Sequence, residues 1–327
     1  MKFLQSIFVI LWLGVFFAGS TSAQDEKPIR VETDLVMVNV AVTDKQGNFV
    51  KNLRREQFEI FDDKVKQTVA HFSDEHTAAT FGFVYDLHPT TNERTTTILE
   101  ALRQFTRELN ADDQFFVTAF NERGSLNTDF VPTIEQIETN LSAVTKPREP
   151  NALYDAVYAA AGKLRESKRE KRTLIIISDS ADHNSRRGFK DLLDRLESFD
   201  VQVYAVFLDD RTFRYWTVTE ITRDTRRRSV IAKTPTPLDR AVLDELSRNS
   251  GGSSYTPNLQ SRQQLDEIFK QIASEMRSLY TLGFYPSDLN SKRHQIKVRV
   301  NQPDKKAKRF VLSYRQHYQS PANRSDK

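Results

Sequence analysis

Four nearly continuous apolar runs constrain this chain more than anything else in its sequence: Phe81–Tyr85, Phe115–Phe120, Leu174–Ile177 and Val201–Leu208. A strand with one wet face alternates apolar and polar residues. An unbroken run suits a parallel strand covered on both faces. Between the runs lie segments with helical spacing. Ile98, Leu102, Phe105 and Leu109 share one face, as do Leu153, Val157, Ala160 and Leu164. Leu265, Ile268, Phe269, Ile272, Met276 and Leu279 form the clearest stripe. Strand–helix alternation over 77–278 predicts a doubly wound, mostly parallel, Rossmann-like α/β sheet, with the stripes as core packing.

The flanking zones read differently. Val36, Val38, Val40 and Val42 alternate with Met37, Asn39 and Ala41, the period of a half-buried strand. Asp44 to Asn48 is a turn, and Phe58–Phe61, Asp62-Asp63 and Val65–Phe72 read as a hairpin. On the other side, Tyr280–Tyr285 is a strand, Ile296, Val298 and Val300 alternate with Lys297 and Arg299, and Phe310, Leu312 and Tyr314 alternate again. Each zone alone is too small to bury a core. The simplest solution is one small β-sandwich of N- and C-terminal strands into which the α/β domain is inserted. The expected division is 24–76, 77–278 and 279–317, followed by a polar tail, 318–327, that is expected to be disordered.

Residues 1–23 read as a secretory signal. Lys2 supplies positive charge, and Ile7–Ala18 is apolar but short of the roughly 20 residues of a spanning helix. Thr21-Ser22-Ala23 offers small residues for cleavage before Gln24. The alternative is an uncleaved membrane anchor. No Cys follows, which excludes a lipid-anchored lipoprotein, and no other stretch is apolar and long enough to span. The expectation is an exported protein, periplasmic or extracellular.

Composition removes several classes. Zero Cys excludes disulfide scaffolds, thiolate catalysis and thiolate metal centres. With 48 Lys+Arg against 44 Asp+Glu the net charge is only +4, so wholesale nucleic-acid binding is not implied. Ten glycines leave little for a phosphate-cradling loop. There is no nucleophile elbow, phosphate-loop motif or dinucleotide fingerprint. Gly251-Gly252-Ser253-Ser254 ends a helix and starts a strand.

In a doubly wound sheet ligands bind beyond the carboxyl ends of the strands, near the switch point. Asp86 follows the first run and Asp179 the third, while Asn151 opens the Leu153–Leu164 helix, where its side chain can cap. Asp86, Thr90, Asn151 and Asp179 could converge there, and oxygen ligands on an open edge suit Mg²⁺ or Mn²⁺. The alternative is that Asp86 and Asp179 serve only caps and loop amides.

These residues carry a resemblance. Asp86-Leu87-His88-Pro89-Thr90 resembles the Asp-x-Ser-x-Ser element of the von Willebrand factor type A domain. Asn151-Ala152-Leu153-Tyr154-Asp155 resembles its Thr-Ala-Leu-Tyr-Asp stretch, and Ser178-Asp179-Ser180-Ala181-Asp182 its Ser-Asp-Gly-x-Asp stretch. The flanks, with the Phe61-Asp62-Asp63 hairpin and Leu282–Pro286, resemble an exported bacterial subgroup of acidobacterial type. The resemblance implies a metal-ion-dependent adhesion site and a protein partner, whose carboxylate a cation would bridge. His88 replaces the family's first Ser, Thr90 replaces the second but keeps a hydroxyl, and Asn151 replaces the Thr and offers a carbonyl oxygen, so the implied site is degenerate. His88 brings a nitrogen, poor for Mg²⁺ and better for Zn²⁺, Mn²⁺ or Ni²⁺.

The leading reading is a non-enzymatic, exported protein-binding module. Its rivals are a metal-assisted hydrolase, for which no paired nucleophile and base is found, and a scaffold with a decayed, metal-free site. Arg211, Arg214, Arg226, Arg227 and Arg228, with Tyr215 and Trp216 nearby, offer a grip on an anionic partner or simply a solvated surface excursion. Lys163–Arg172 reads as the wet end of a helix, and the six His residues show no metal-ligand spacing.

Overall fold

The structure is a computed structural model. It describes residues 35–320 apart from 75–76, 87–91, 122–123, 132–151, 179–181, 183–184, 209–216, 221–227, 232–236, 259–260, 287, 291 and 302–309. The expected signal segment, 1–23, lies outside the described residues.

The chain begins with β1 (Val36–Thr43), β2 (Phe58–Asp62), β3 (Val65–Gln67) and β4 (His71–Ser73). The α/β part follows: β5 (Ala79–Asp86), α1 (Asn92–Arg107), β6 (Gln114–Asn121), β7 (Gly124–Asn127), α2 (Leu153–Arg165), β8 (Lys171–Ser178), α3 (Phe189–Phe199), β9 (Gln202–Phe207), β10 (Thr217–Glu220), β11 (Arg228–Ile231), α4 (Pro237–Ser250), β12 (Ser254–Tyr255) and α5 (Arg262–Arg277). Then come β13 (Tyr280–Phe284), β14 (Arg293–Val300), β15 (Val311–Ser313) and β16 (His317–Gln319).

The central sheet has the order β12-β9-β8-β5-β6-β7. Its pairings are parallel except at the β6–β7 edge. The unbroken apolar runs are explained by burial on two sides. Phe81, Phe83, Tyr85, Ile175, Ile177, Tyr204 and Val206 pack with α1 and α5 in one core. Val84, Phe116, Leu174, Ile176, Val203 and Ala205 pack with α2, α3 and α4 in another. Gly82 sits where strands and side chains approach closely: a Cβ there would lie 2.6 Å from the Phe116 ring and 2.7 Å from Leu174.

The terminal strands form two antiparallel sheets of a sandwich, ordered β15-β1-β13-β4 and β16-β14-β2-β3. Each sheet mixes strands from both ends of the chain. Val38 pairs with Leu282 across β1–β13, and Ile60 with Val298 across β2–β14. Their inward residues, among them Val38, Val40, Ile60, Leu282, Phe284 and Ile296, make a third core. The sandwich with an inserted α/β fold is therefore the architecture.

Several details differ from the sequence-based expectations. The segment Val65–Phe72 is not one hairpin arm. β3 stays with β2, while β4 crosses to pair with β13 in the other sheet. β1 is buried on both faces over its centre, because Ala41 joins the α/β core and Asn39 accepts a hydrogen bond from Thr281 Oγ1 at 2.8 Å. Lys171 is not at a wet helix end: it opens β8, is buried, and its Nζ donates to the Asp74 carbonyl at 2.8 Å. The polar tail was expected to be disordered from residue 318, yet β16 pairs with β14 and buries Tyr318, whose ring closes the sandwich core. Residues 321–327 lie outside the described residues.

Candidate functional site

The strand order places a topological switch at β5. The chain leaves β5 for β6 on one side and later lays β8 and β9 on the other, so the crevice between β5 and β8 opens at their carboxyl ends. The β5–β8 register brings Tyr85 opposite Ile177, and each strand has one residue left, Asp86 and Ser178. The first and third motif segments thus leave the sheet from adjacent strands.

The second segment is tied to the third by hydrogen bonds. The Tyr154 amide donates to Asp182 Oδ1 at 3.2 Å, and the Asp155 amide to Ser185 Oγ at 3.1 Å. Ser185 Oγ in turn donates to Asp182 Oδ1 at 2.6 Å. Asp155 answers by accepting the amides of Arg186 (3.1 Å) and Arg187 (3.3 Å). Two of the free amides at the start of α2, those of Tyr154 and Asp155, are therefore satisfied by the loop after β8. The N-cap of α2 is Ala152, which has no side-chain cap; Asn151, expected to cap there, lies outside the described residues. Asp182 does that work from a neighbouring loop, which a reading limited to residues preceding the helix misses.

The loop after β8 is further held by its Arg187, which shares a ring with Arg195 of α3. Arg187 lies 4.0 Å over the Tyr158 ring, and Arg195 lies 3.9 Å from the same ring. Such cation–π contacts fix the loop after β8 with Asp182 turned to the Tyr154 amide.

Of the residues assigned to a metal, Asp86 ends β5. His88, Thr90, Asn151 and Asp179 lie outside the described residues. Of the arginines assigned to an anionic partner, Arg211, Arg214, Arg226 and Arg227 also lie outside them. Arg228 opens β11, which pairs antiparallel with β10 and is opposite Glu220. The segment thus includes a β-ribbon where a loop was expected.

A second cluster was not found from sequence. Asp62, Asp63 and His294 each offer one ligand atom, all within 4.8 Å of one another, on the sandwich. The signal lay in the Asp62-Asp63 pair, but its partner sits on a strand from the opposite end of the chain.

No family model matches the chain, and no curated protein matches it. Among solved structures it is similar to BatB from Bacteroides thetaiotaomicron, at 14% identity over 61% of this chain and 100% of that one, with a TM-score of 0.46. It is similar to proximal thread matrix protein 1 from the mussel byssus with a zinc-occupied MIDAS motif, at 12% identity over 65% of this chain and 48% of that one, TM-score 0.45. It is also similar to the SpRpn10 VWA domain, at 10% identity over 60% of this chain and 95% of that one, TM-score 0.41. The likeness of this chain to von Willebrand factor type A structures is one of fold.

Proposed function

We propose that this chain is an exported, non-enzymatic protein-binding module that takes its partner at the edge where β5 and β8 end. The observation that carries this reading is the convergence of the three motif segments: adjacent strand ends at Asp86 and Ser178, and the Asp182–Tyr154 hydrogen bond at 3.2 Å that fastens the start of α2 to the loop after β8. Asp182 is consumed as a cap, which leaves Asp86, Thr90, Asn151 and Asp179 as the oxygen donors for a cation. That donor set fits a hard divalent ion that keeps water and accepts one carboxylate from a partner. His88 adds a nitrogen and shifts the preference toward Mn²⁺ or Zn²⁺. A bound cation would supply positive charge; the chain's own groups orient it and hold the loops that frame it.

The reading keeps 24–76 and 279–317 as sandwich, 77–278 as the binding domain and the leader 1–23 as cleaved. Arg211, Arg214, Arg226, Arg227 and Arg228 add a cationic contact for acidic partner residues. Among the described residues no helix is long and apolar enough to cross a membrane.

The test is capture of partners from a periplasmic extract by the immobilised chain, with and without chelator. Retention of a discrete protein that is lost with chelator and lost again in Asp179→Ala supports the reading. Retention indifferent to both assigns binding to another surface.

A further inference from the structure

We infer a second metal site, in the β-sandwich, at which Asp62, Asp63 and His294 bind a transition-metal cation of the Zn²⁺ class. It is independent of the edge between β5 and β8.

The site is built by a tight hairpin. Asp62 and Val65 are paired, so the turn is the two residues Asp63 and Lys64, with φ of 44° and 76°. Positive φ at both central positions is the turn geometry that matches strand twist. It folds Asp63 back onto β14. The Asp63 amide donates to the Gln295 carbonyl at 3.0 Å, and the Gln295 amide donates to Asp63 Oδ1 at 2.9 Å. Asp63 Oδ2 is left beside His294 Nδ1, 2.9 Å away. On the inner face, Asp62 is opposite Ile296, two residues along β14 from His294, a diagonal cross-strand neighbour. Asp62 Oδ2 accepts the Tyr318 hydroxyl at 2.8 Å, and Asp62 Oδ1 lies 3.2 Å from His294 Nδ1.

The imidazole tautomer follows from its other nitrogen. The Asn290 amide is oriented by two bonds: its Nδ2 donates to Asp288 Oδ2 at 2.6 Å, and its Oδ1 accepts the Lys292 amide at 2.8 Å. His294 Nε2 lies 3.0 Å from that same Oδ1 and must donate to it. Neutral His294 therefore turns a lone pair, on Nδ1, toward two carboxylate oxygens. Three electron-rich atoms facing each other need a positive charge between them.

The geometry favours a metal over a proton. The His294 side chain is 7% exposed and that of Asp62 4%. Among the described residues neither His294 Nδ1 nor Asp62 Oδ1 makes a hydrogen bond. Buried polar atoms without partners are rare and call for an explanation. Ligands about 2.1 Å from a Zn²⁺-class ion are separated by about 3.0–3.4 Å, depending on whether they subtend a right or a tetrahedral angle. The N···O separations of 2.9 and 3.2 Å suit that spacing. One imidazole and two carboxylates neutralise a divalent charge, and Asp63, half exposed, leaves a coordination position for water. The Nε2–Asn290 bond is the outer-shell contact that metal-bound histidines usually make. Such an ion would fasten the β2–β3 hairpin to β14, joining strands from the two ends of the chain.

The experiment is equilibrium dialysis of the metal-stripped full chain against Zn²⁺, with Co²⁺ as a spectroscopic probe. All chains carry Asp179→Ala, which removes the edge site between β5 and β8, and the expected result in that background is one equivalent of Zn²⁺ retained and a visible Co²⁺ band. Asp63→Asn, which tolerates positive φ and keeps the Gln295 contact, should weaken retention by roughly tenfold or more. His294→Gln should abolish the Co²⁺ band. Folding of both variants is checked by circular dichroism, and Asp63→Asn serves alone should His294→Gln not fold. No retained Zn²⁺ in the chain carrying Asp179→Ala alone would mean that a protonated imidazole holds the two carboxylates and would overturn the proposal. So would retention unchanged by Asp63→Asn.

Discussion

The Nε of Arg315 lies 3.1 Å from Oδ1 of Asp200, an ion pair between the last sandwich strands and the end of α3. Arg315 Nη1 also donates to the Glu197 carbonyl at 2.7 Å, and Nη2 to the carbonyl of Met37 in β1. Burial pushes the Asp200 carboxyl up, and the Arg315 charge pulls it back. Nearby, Arg293 Nη2 meets Glu197 Oε1 at 2.8 Å. One helix is thus bound to both sheets of the sandwich by guanidinium groups, which fixes the frame from which the β5–β8 edge projects.

Arg315→Ala should therefore be among the most damaging single changes. Removing one partner of a buried pair leaves an uncompensated charge, at a cost of about 3–5 kcal/mol. Chemical denaturation should show that loss, and Asp200→Asn in the same chain should recover part of it. Equal and additive losses would mean that the two residues act independently.

Glu275, on α5 beside Tyr204 and Tyr255, gives a pH dependence. Burial raises its carboxyl from 4.5 to about 7, against the pull of the Tyr204 hydroxyl. The native state holds a proton there that the unfolded chain has already released. Its contribution to stability is complete below the ordinary carboxylate value and is lost as pH rises through 7. Glu275→Gln should match wild type near pH 4.5 and exceed it at pH 8, by on the order of 3 kcal/mol. A difference of the same size at both pH values would contradict this.

Gly82→Ala tests the packing at the middle of the parallel sheet. A methyl group there would meet Phe116 and Leu174 at 2.6 and 2.7 Å. Overpacking of this kind costs about 1–3 kcal/mol, read as a lowered melting temperature. A variant as stable as wild type would show that both side chains move aside freely.

Asp182→Ala removes the acceptor shared by Tyr154 N and Ser185 Oγ. Loss of a helix cap costs about 1 kcal/mol, and amide exchange in the first turn of α2 should quicken. Exchange unchanged from wild type would show that Ser185 alone satisfies that turn.

Much of this was legible in the sequence because burial writes itself into residue order. The unbroken runs specified strands covered on both faces, and the alternation of Ile296 and Val298 with Lys297 and Arg299 specified a strand with one wet side. What remained hidden were relations between distant segments. Asp63 and Gln295 are 232 residues apart, and only the register of β2 on β14 brings them together. Tyr318 stood alone in a polar tail, without a periodic pattern to mark it as core. The capping of α2 by Asp182 depends on a loop that follows a later strand, so no local motif announced it.

The most direct test of the interaction edge is calorimetric titration of the chain with Mg²⁺ and Mn²⁺, comparing wild type with Asp86→Ala, Asp179→Ala, His88→Ser and Asp63→Asn. The account predicts one site in wild type that is lost in Asp86→Ala and Asp179→Ala. It should be strengthened toward Mg²⁺ in His88→Ser, which restores an oxygen ligand, and untouched in Asp63→Asn. Absence of binding at millimolar cation in both wild type and His88→Ser, or binding that survives Asp179→Ala, would contradict it.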